Sequence, residues 1–350
     1  MPNNQEIPEN HESSFLTTVG GIVTDIATGA TVPAPIRRNF FKAMGRLCSA
    51  AIEIPAAYLE GVADEKRAET QGRVKIISTT ANQIAENIKV DPEYARVALR
   101  KYGERIVREQ VNLDGVAQIA AEEIHHKPIS SGVEQETQPQ AQEISDDWLN
   151  LFEKEASQKS SEEMQLIFGR ILAGEIQRPS SFSIKTLRLV GQLDSRVAAR
   201  FRTLCSLTIT LKAGDHIIDT RVPSLGGNTG QNALQKYGLG FGQLNALEEF
   251  GLIISDFNSY MNYRMSVAMD KSVPLPFIYQ NRPWGLVSSK DEVSDPQQEL
   301  RVHGVALSQS GKELMNIVEQ QANDEYTEAL KNYFKQLDLV MVPISPQAGN

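Results

Sequence analysis

The chain has 350 residues, of which 41% are hydrophobic, 23% charged and 7% aromatic. That is ordinary globular composition, so wholesale disorder is excluded and two or three domains fit the length. Lys and Arg number 35 against 44 Asp and Glu, a net charge of −9, which excludes a nucleic-acid binder acting through its whole surface and confines any basic site to a local patch.

Residues 1–14, MPNNQEIPENHESS, have no basic run and no apolar run, so they read as a disordered tail and not as a secretory or transit signal. Cys48 and Cys205 are far apart in a chain long enough to stabilise itself by burial, and both are expected as reduced thiols in the cytoplasm. Residues 15–127 form the first expected domain. Between Ser13 and Ile36 the sole charge is Asp25, but Gly, Thr, Pro33 and Pro35 interrupt the run, which rules out a spanning helix of about 20 apolar residues. Phe40, Phe41, Met44, Leu47 and Cys48 recur at helical spacing. A packed helical domain is the main expectation for this region. A membrane-perturbing or partner-docking segment over residues 13–62 is the alternative.

Val74, Ile77, Ala81, Ile84 and Ile88 are spaced 3, 4, 3 and 4, the seam of a helix in a bundle or coiled coil, and self-association is expected from it. Asp91-Pro92 reads as a cap followed by proline at the first helical position. The helix that follows carries Tyr94, Ala98, Tyr102 and Ile106 on one stripe and is expected to break between Asn112 and Gly115. Residues 66–108 hold ten cations against five anions. Among them Arg96, Arg100, Lys101, Arg105 and Arg108 are the candidate positions for an anionic partner, nucleic acid or lipid. A solvated face with i,i+4 ion pairs accounts for the same residues. Glu122, Glu123, His125 and His126 have helical metal-ligand spacing but no third partner nearby, and no metal or other cofactor is expected.

Residues 128–144, rich in Gln, Glu, Ser and Pro, read as a linker. A central helical domain follows over 145–213. Trp148, Leu149, Leu151, Phe152 and Ala156 mark one helix, and Ser160-x-x-Glu163 reads as the capping box of the next. Met164, Ile167, Phe168, Ile171 and Leu172 are its core face, and Gly174 permits a close approach by another backbone. The Asp194 cap opens a further helix with Val197, Phe201, Leu204 and Leu207.

The block from Trp148 to Val190, with Ile171-Leu-Ala-Gly-Glu175, Pro179, Ser181-Phe182-Ser183 and Thr186-Leu187, resembles a bacterial family of unknown function. Phe168 stands where that pattern has Trp, and Ser180 where it has Gly. The family's architecture is also similar to proteins grouped with abortive infection, which implies a role in phage defence by association. The resemblance implies no reaction and no catalytic residues. Glu175 lies in a mostly apolar helical block that reads as packing.

Residues 214–322 read as a winged-helix-like unit. A short helix over Gln231–Tyr237 precedes a Gly-rich turn and a helix with Leu244, Leu247 and Phe250. Strands are expected at Met261–Met269, where Met261, Tyr263, Met265, Val267 and Met269 alternate, and at Phe277–Tyr279 and Leu300–Leu307. Ser310-x-x-Glu313 then reads as a cap. The reading helix, FGQLNALEEF, has no cation and carries Glu248 and Glu249, and residues 185–350 hold 16 Lys and Arg against 17 Asp and Glu. This disfavours a DNA reader and favours protein contact or internal packing. Residues 323–350 read as a C-terminal helix and tail. No phosphate-binding loop or nucleophile elbow is present. The chain as a whole reads as mainly α, with helical N-terminal and central domains and a C-terminal winged-helix-like α+β unit. Its expected role is that of a non-enzymatic interaction or regulatory protein with a protein partner or a second copy of itself. A nucleic-acid-binding regulator and a membrane-perturbing effector are the competing classes.

Overall fold

The computed structural model describes residues 19–26, 32–48, 89–126, 142–214, 216–227, 230–268, 274–289 and 298–344. It contains two compact units, divided between Gly191 and Gln192. The expected seam from Val74 to Ile88 and the cations from Lys66 to Lys75 lie outside the described residues.

In the first unit a helical segment over 19–26 precedes α1 (Ala34–Leu47), α2 (Pro92–His126), α3 (Asp146–Ala156), α4 (Glu162–Gln177) and α5 (Ile184–Gln192). Proline at the start of α1 and of α2 costs no hydrogen bond, because the first helical amides have no partner in any case. The apolar residues of the segment open to a membrane reading are core residues here: Phe40, Phe41, Met44 and Leu47 are all buried. Each such burial is worth about 1.5–3 kcal/mol relative to exposure. Among the described residues, no helix is long and apolar enough to cross a membrane.

Residues on both sides of the expected linker share this one core. The backbones of α2 and α4 cross so closely that a Cβ on Gly169 would lie 2.5 Å from the Ile119 side chain. The end of the linker is itself anchored. The Asn39 amide donates to the Gln142 carbonyl at 3.2 Å and accepts from the Ile144 amide at 3.2 Å, and Ile144 is buried. The two compact units divide between Gly191 and Gln192. Helix α2 does not break at Asn112–Gly115. The buried Asn112 side chain donates to the Ser157 carbonyl at 2.7 Å, and Leu113 and Val116 join the core, so the residue that suggested a break is engaged in a tertiary contact.

The second unit opens with α6 (Ser195–Ser206), capped by Asp194 as expected: its carboxylate accepts from the Val197 amide at 2.8 Å. An antiparallel sheet follows, built from β1 (Ile209–Ala213), β2 (His216–Pro223), β3 (Ile253–Ile254), β4 (Tyr260–Asn262), β5 (Phe277–Tyr279), β6 (Arg282–Ser288), β7 (Arg301–Leu307) and β8 (Leu339–Pro343). The order is β3-β7-β2-β1-β5-β6-β8, with β4 also paired to β7. Register places Ile209 opposite Arg221 and Tyr279, and Leu211 opposite Asp219 and Phe277. The remaining helices are α7 (Phe241–Glu249), α8 (Gln309–Met315) and α9 (Asp324–Gln336).

The strands at 277–279 and 301–307 and the helix at 241–249 agree with expectation. The strand over 261–269 does not run through. The Asn262 carboxamide accepts from the Arg264 amide at 3.0 Å, a local turn that ends β4. A 3₁₀ turn over Arg264–Ser266 follows, and Met265 stands 56% exposed instead of lining the core. The segment at 231–237 is likewise a 3₁₀ turn, Ala233–Tyr237, held by Asn232. The caps are Ser161 and Ser308, one residue after and two before the serines the capping-box patterns suggested. Residues 209–213, expected to be helical, form β1, and the expected C-terminal tail contributes β8 at the sheet edge.

Candidate functional site

The N-terminal half of α2 presents the predicted basic positions. Asp91 caps it, accepting from the Glu93 amide at 2.8 Å. Arg96 pairs with Glu93 at 2.9 Å, Arg100 with Glu104 at 4.0 Å and Arg105 with Glu109 at 3.5 Å, all on the surface. The Arg105 guanidinium also lies over the Tyr102 ring, 5.2 Å from its centroid. Lys101 and Arg108 make no ion pair among the described residues, so three of the five cations are engaged and two are not. Exposed pairs of this spacing contribute only a few tenths of a kcal/mol.

The predicted stripe lies on the side of the helix that is the core face further along, with Tyr102 five turns before Ala120 and Ile106 five turns before Ile124, but its aromatic members are not covered: Tyr94 is 67% exposed and Tyr102 38%. Ala95, Leu113, Val116, Ala117, Ala120 and Ile124 are buried. Opposite that face, at spacings of 4, 3, 4, 3 and 4, run Glu93, Val97, Arg100, Glu104, Val107 and Val111. Val107 and Val111 are 64% and 61% exposed. Counting intervals along both faces, and not along the aromatic one alone, finds this stripe in the sequence.

The recognisable block of α4 forms a local clamp. Glu175 is buried, and its two carboxylate oxygens accept from the Ser180 amide at 2.6 Å and the Phe182 amide at 3.0 Å. Gly174 makes room for the Phe182 ring, whose nearest atom would lie 2.8 Å from a Cβ. Trp148 donates its indole N–H to the Phe182 carbonyl at 2.7 Å, and the Ser183 hydroxyl accepts from the Thr186 amide to start α5. Ser180 has φ of +72°, the left-handed region that favours glycine, and it occupies the position where glycine is the expected residue. Trp148, Gly174, Phe182 and Ser183 thus have packing or capping duties, and Glu175 is consumed by main-chain donors.

A second buried acid lies in the sheet. Arg221 forks onto Asp219, its Nε to one oxygen at 2.6 Å and its second terminal nitrogen to the other at 2.9 Å. Its remaining nitrogen donates to the carbonyls of Ser259 and Val302 at 3.1 and 3.0 Å, and the Tyr263 hydroxyl donates to Asp219 at 2.9 Å. Burial first, then the Asp219 charge, push the Tyr263 phenol well above its ordinary pKa. Donors and acceptors match within the network, which ties β2, β4 and β7 together. The sequence carries no local signal for it, because its members come from residues 219, 221, 259, 263 and 302.

The same unit carries an open groove of about 760 Å³ between α9 and the 3₁₀ turn. Ala329, Asn332, Tyr333 and Gln336 form one face of α9, and Gln235, Lys236 and Tyr237 the opposite wall. Tyr237 packs edge-on against Tyr326 with centroids 5.0 Å apart, and Lys236 reaches Glu325 at 2.8 Å. The hydrogen bond to Glu325 raises the Lys236 ammonium above its ordinary pKa. A smaller recess of about 390 Å³ adjoins it at Gln235.

Other candidates dissolve on inspection. Glu123 pairs with Arg170 at 3.1 Å and His125 stands 3.4 Å from Asp25; among the described residues no three His, Cys, Asp or Glu are grouped as for a metal. Burial pushes the Cys205 thiol up, away from the thiolate a nucleophile needs.

The class so defined is a two-unit protein, a helical unit followed by an antiparallel α+β unit, with a saturated acid clamp in each and an open amide-lined groove in the second. The chain belongs to the family described as protein of unknown function (DUF2806), which matches residues 95–331. No curated protein and no solved structure matches it.

Proposed function

We propose that the chain is a non-enzymatic interaction protein of the cytoplasm that works through protein contacts, and that its first partner is a second copy of itself. The observation that carries this is the exposed stripe on α2. Its three exposed valines, Val97, Val107 and Val111, are interleaved with Arg100 and Glu104, and apolar side chains aligned at a surface support an interaction face. The centre of the stripe is self-complementary. Two copies laid antiparallel about position 102 bring Val97 opposite Val107, and Arg100 opposite Glu104, while Glu93 and Val111 meet at the ends. Light scattering of the full chain at micromolar concentration tests this: a dimer mass is expected, and Val107→Glu with Val111→Glu is expected to give a monomer. A monomeric parent protein contradicts it.

A nucleic-acid-binding regulator is the second reading, favoured by the unpaired cations Lys101 and Arg108. It predicts a salt-dependent DNA or RNA shift that Lys101→Glu with Arg108→Glu abolishes. A winged-helix reading would take α7, β3, β4 and, beyond the intervening β5 and β6, β7 and α8 as its parts. With Glu248 and Glu249 on α7 and no cation, it serves packing and not base reading. A phage-defence role rests on likeness alone and is tested by plaquing on cells with and without the gene.

A further inference from the structure

We infer that the groove between α9 and the Ala233–Tyr237 turn is a binding site for an uncharged, extended polypeptide segment of a partner protein. Its chemistry selects the ligand. Asn332 and Gln336 lie one turn apart on α9, and Gln235 faces them from the other wall. None of these three primary amides makes a side-chain hydrogen bond among the described residues, nor does the Tyr333 hydroxyl in the same wall. A primary amide offers a donor and an acceptor side by side, which is the pattern that a peptide main chain presents in return. A ligand with a formal charge finds no free counter-charge here. No carboxylate lines the groove, and its one cation, Lys236, is already paired with Glu325.

The walls are fixed before any ligand arrives. Asn232 caps the turn, accepting from the Leu234 amide at 2.9 Å and donating to the Leu239 carbonyl at 2.7 Å. Tyr237 is wedged against Tyr326, and the Lys236 pair ties the turn to the start of α9. Preorganised walls lower the ordering cost of binding. Tyr333 and Tyr237 add rigid aromatic surface at little entropic cost, as in loop-built protein binding sites. The groove is open to solvent and shares Gln235 with the adjoining recess, which suits a segment lying across the surface more than an enclosed small molecule.

The test is selection of the full-length protein against a phage-displayed random dodecapeptide library, with enriched peptides synthesised and titrated. The site predicts peptides with an uncharged consensus, whose affinity falls at least tenfold in Asn332→Ala/Gln336→Ala and is unchanged in Lys101→Glu/Arg108→Glu. Both positions on α9 are exposed, and an unchanged melting temperature verifies that the double variant folds. Absence of enrichment, an acidic or basic consensus, or equal binding to the α9 variant overturns the inference. So does a glycan-array signal that the α9 variant alone abolishes, because amides and tyrosines would then be reading a sugar. Light scattering on the same samples reports the α2 interface separately, so either claim can fail without the other.

Discussion

Glu175 in the first unit and Asp219 in the second are both buried acids, and the two are satisfied in different ways. Glu175 accepts from amides five and seven residues further on, so its clamp closes a single loop. Asp219 is matched by Arg221 and Tyr263, and Arg221 reaches carbonyls at 259 and 302, so that network closes only when three segments of the chain have come together. The first clamp is local and accepts main-chain donors. The second is non-local and includes a desolvated ion pair, which is costly to form and more costly to break singly. The difference teaches that Glu175 locks the chain locally and Asp219 locks it across the sheet.

The two tryptophans make the comparison measurable, since Trp148 lies in the first unit and Trp284 in the second. Single-tryptophan variants, Trp284→Phe and Trp148→Phe, report the units separately. The largest effect is expected from Arg221→Ala, which leaves Asp219 buried without its partner and costs about 3–5 kcal/mol, read at Trp284 in urea. Replacing the whole network by Asp219→Leu, Arg221→Met and Tyr263→Phe should recover much of that loss. Equal damage from the triple variant would mean that the side chains act through something other than charge matching. Glu175→Ala should cost less, about 1–3 kcal/mol, read at Trp148, with Glu175→Gln in between because one acceptor oxygen remains.

Alkali should separate the units as well. Burial raises the phenol pKa of Tyr263 and Tyr326 in the second unit, so both are neutral when folded. A raised folded pKa means that the stabilisation is fully present below the unfolded value of about 10 and is lost as pH rises beyond it. Trp284 should therefore report unfolding above about pH 10 before Trp148 does, and the reverse order would contradict the assignment. The smallest effect is expected at Ser180. Ser180→Gly removes the left-handed backbone penalty but adds unfolded-state entropy, for a net gain of up to about 1 kcal/mol at Trp148.

What was legible follows the same local and non-local division. The Asp91 and Asp194 caps, α7, β5, β7 and the block around Glu175 could be read because their signals lie within a few residues of one another. The Asp219 network could not, nor could β1, β2 and β8, whose partners are set by the sheet. Asn112 looked like a helix breaker because its intrinsic preference was weighed without the Ser157 carbonyl that occupies it. The exposed stripe on α2 is present in the intervals of the sequence, on the side of the helix opposite the aromatic stripe. The open groove needed the structure, since its walls come from residues 235–237 and 332–336.

The central claim, that copies of this chain meet along α2, is tested most directly by charge reversal across the stripe. Arg100→Glu places like charges opposite one another and should weaken the dimer about tenfold by light scattering across a dilution series, while Arg100→Glu with Glu104→Arg should restore it. Restoration in the swapped pair is the predicted result. A dimer indifferent to Arg100→Glu, or one that the swap fails to rescue, would contradict the account.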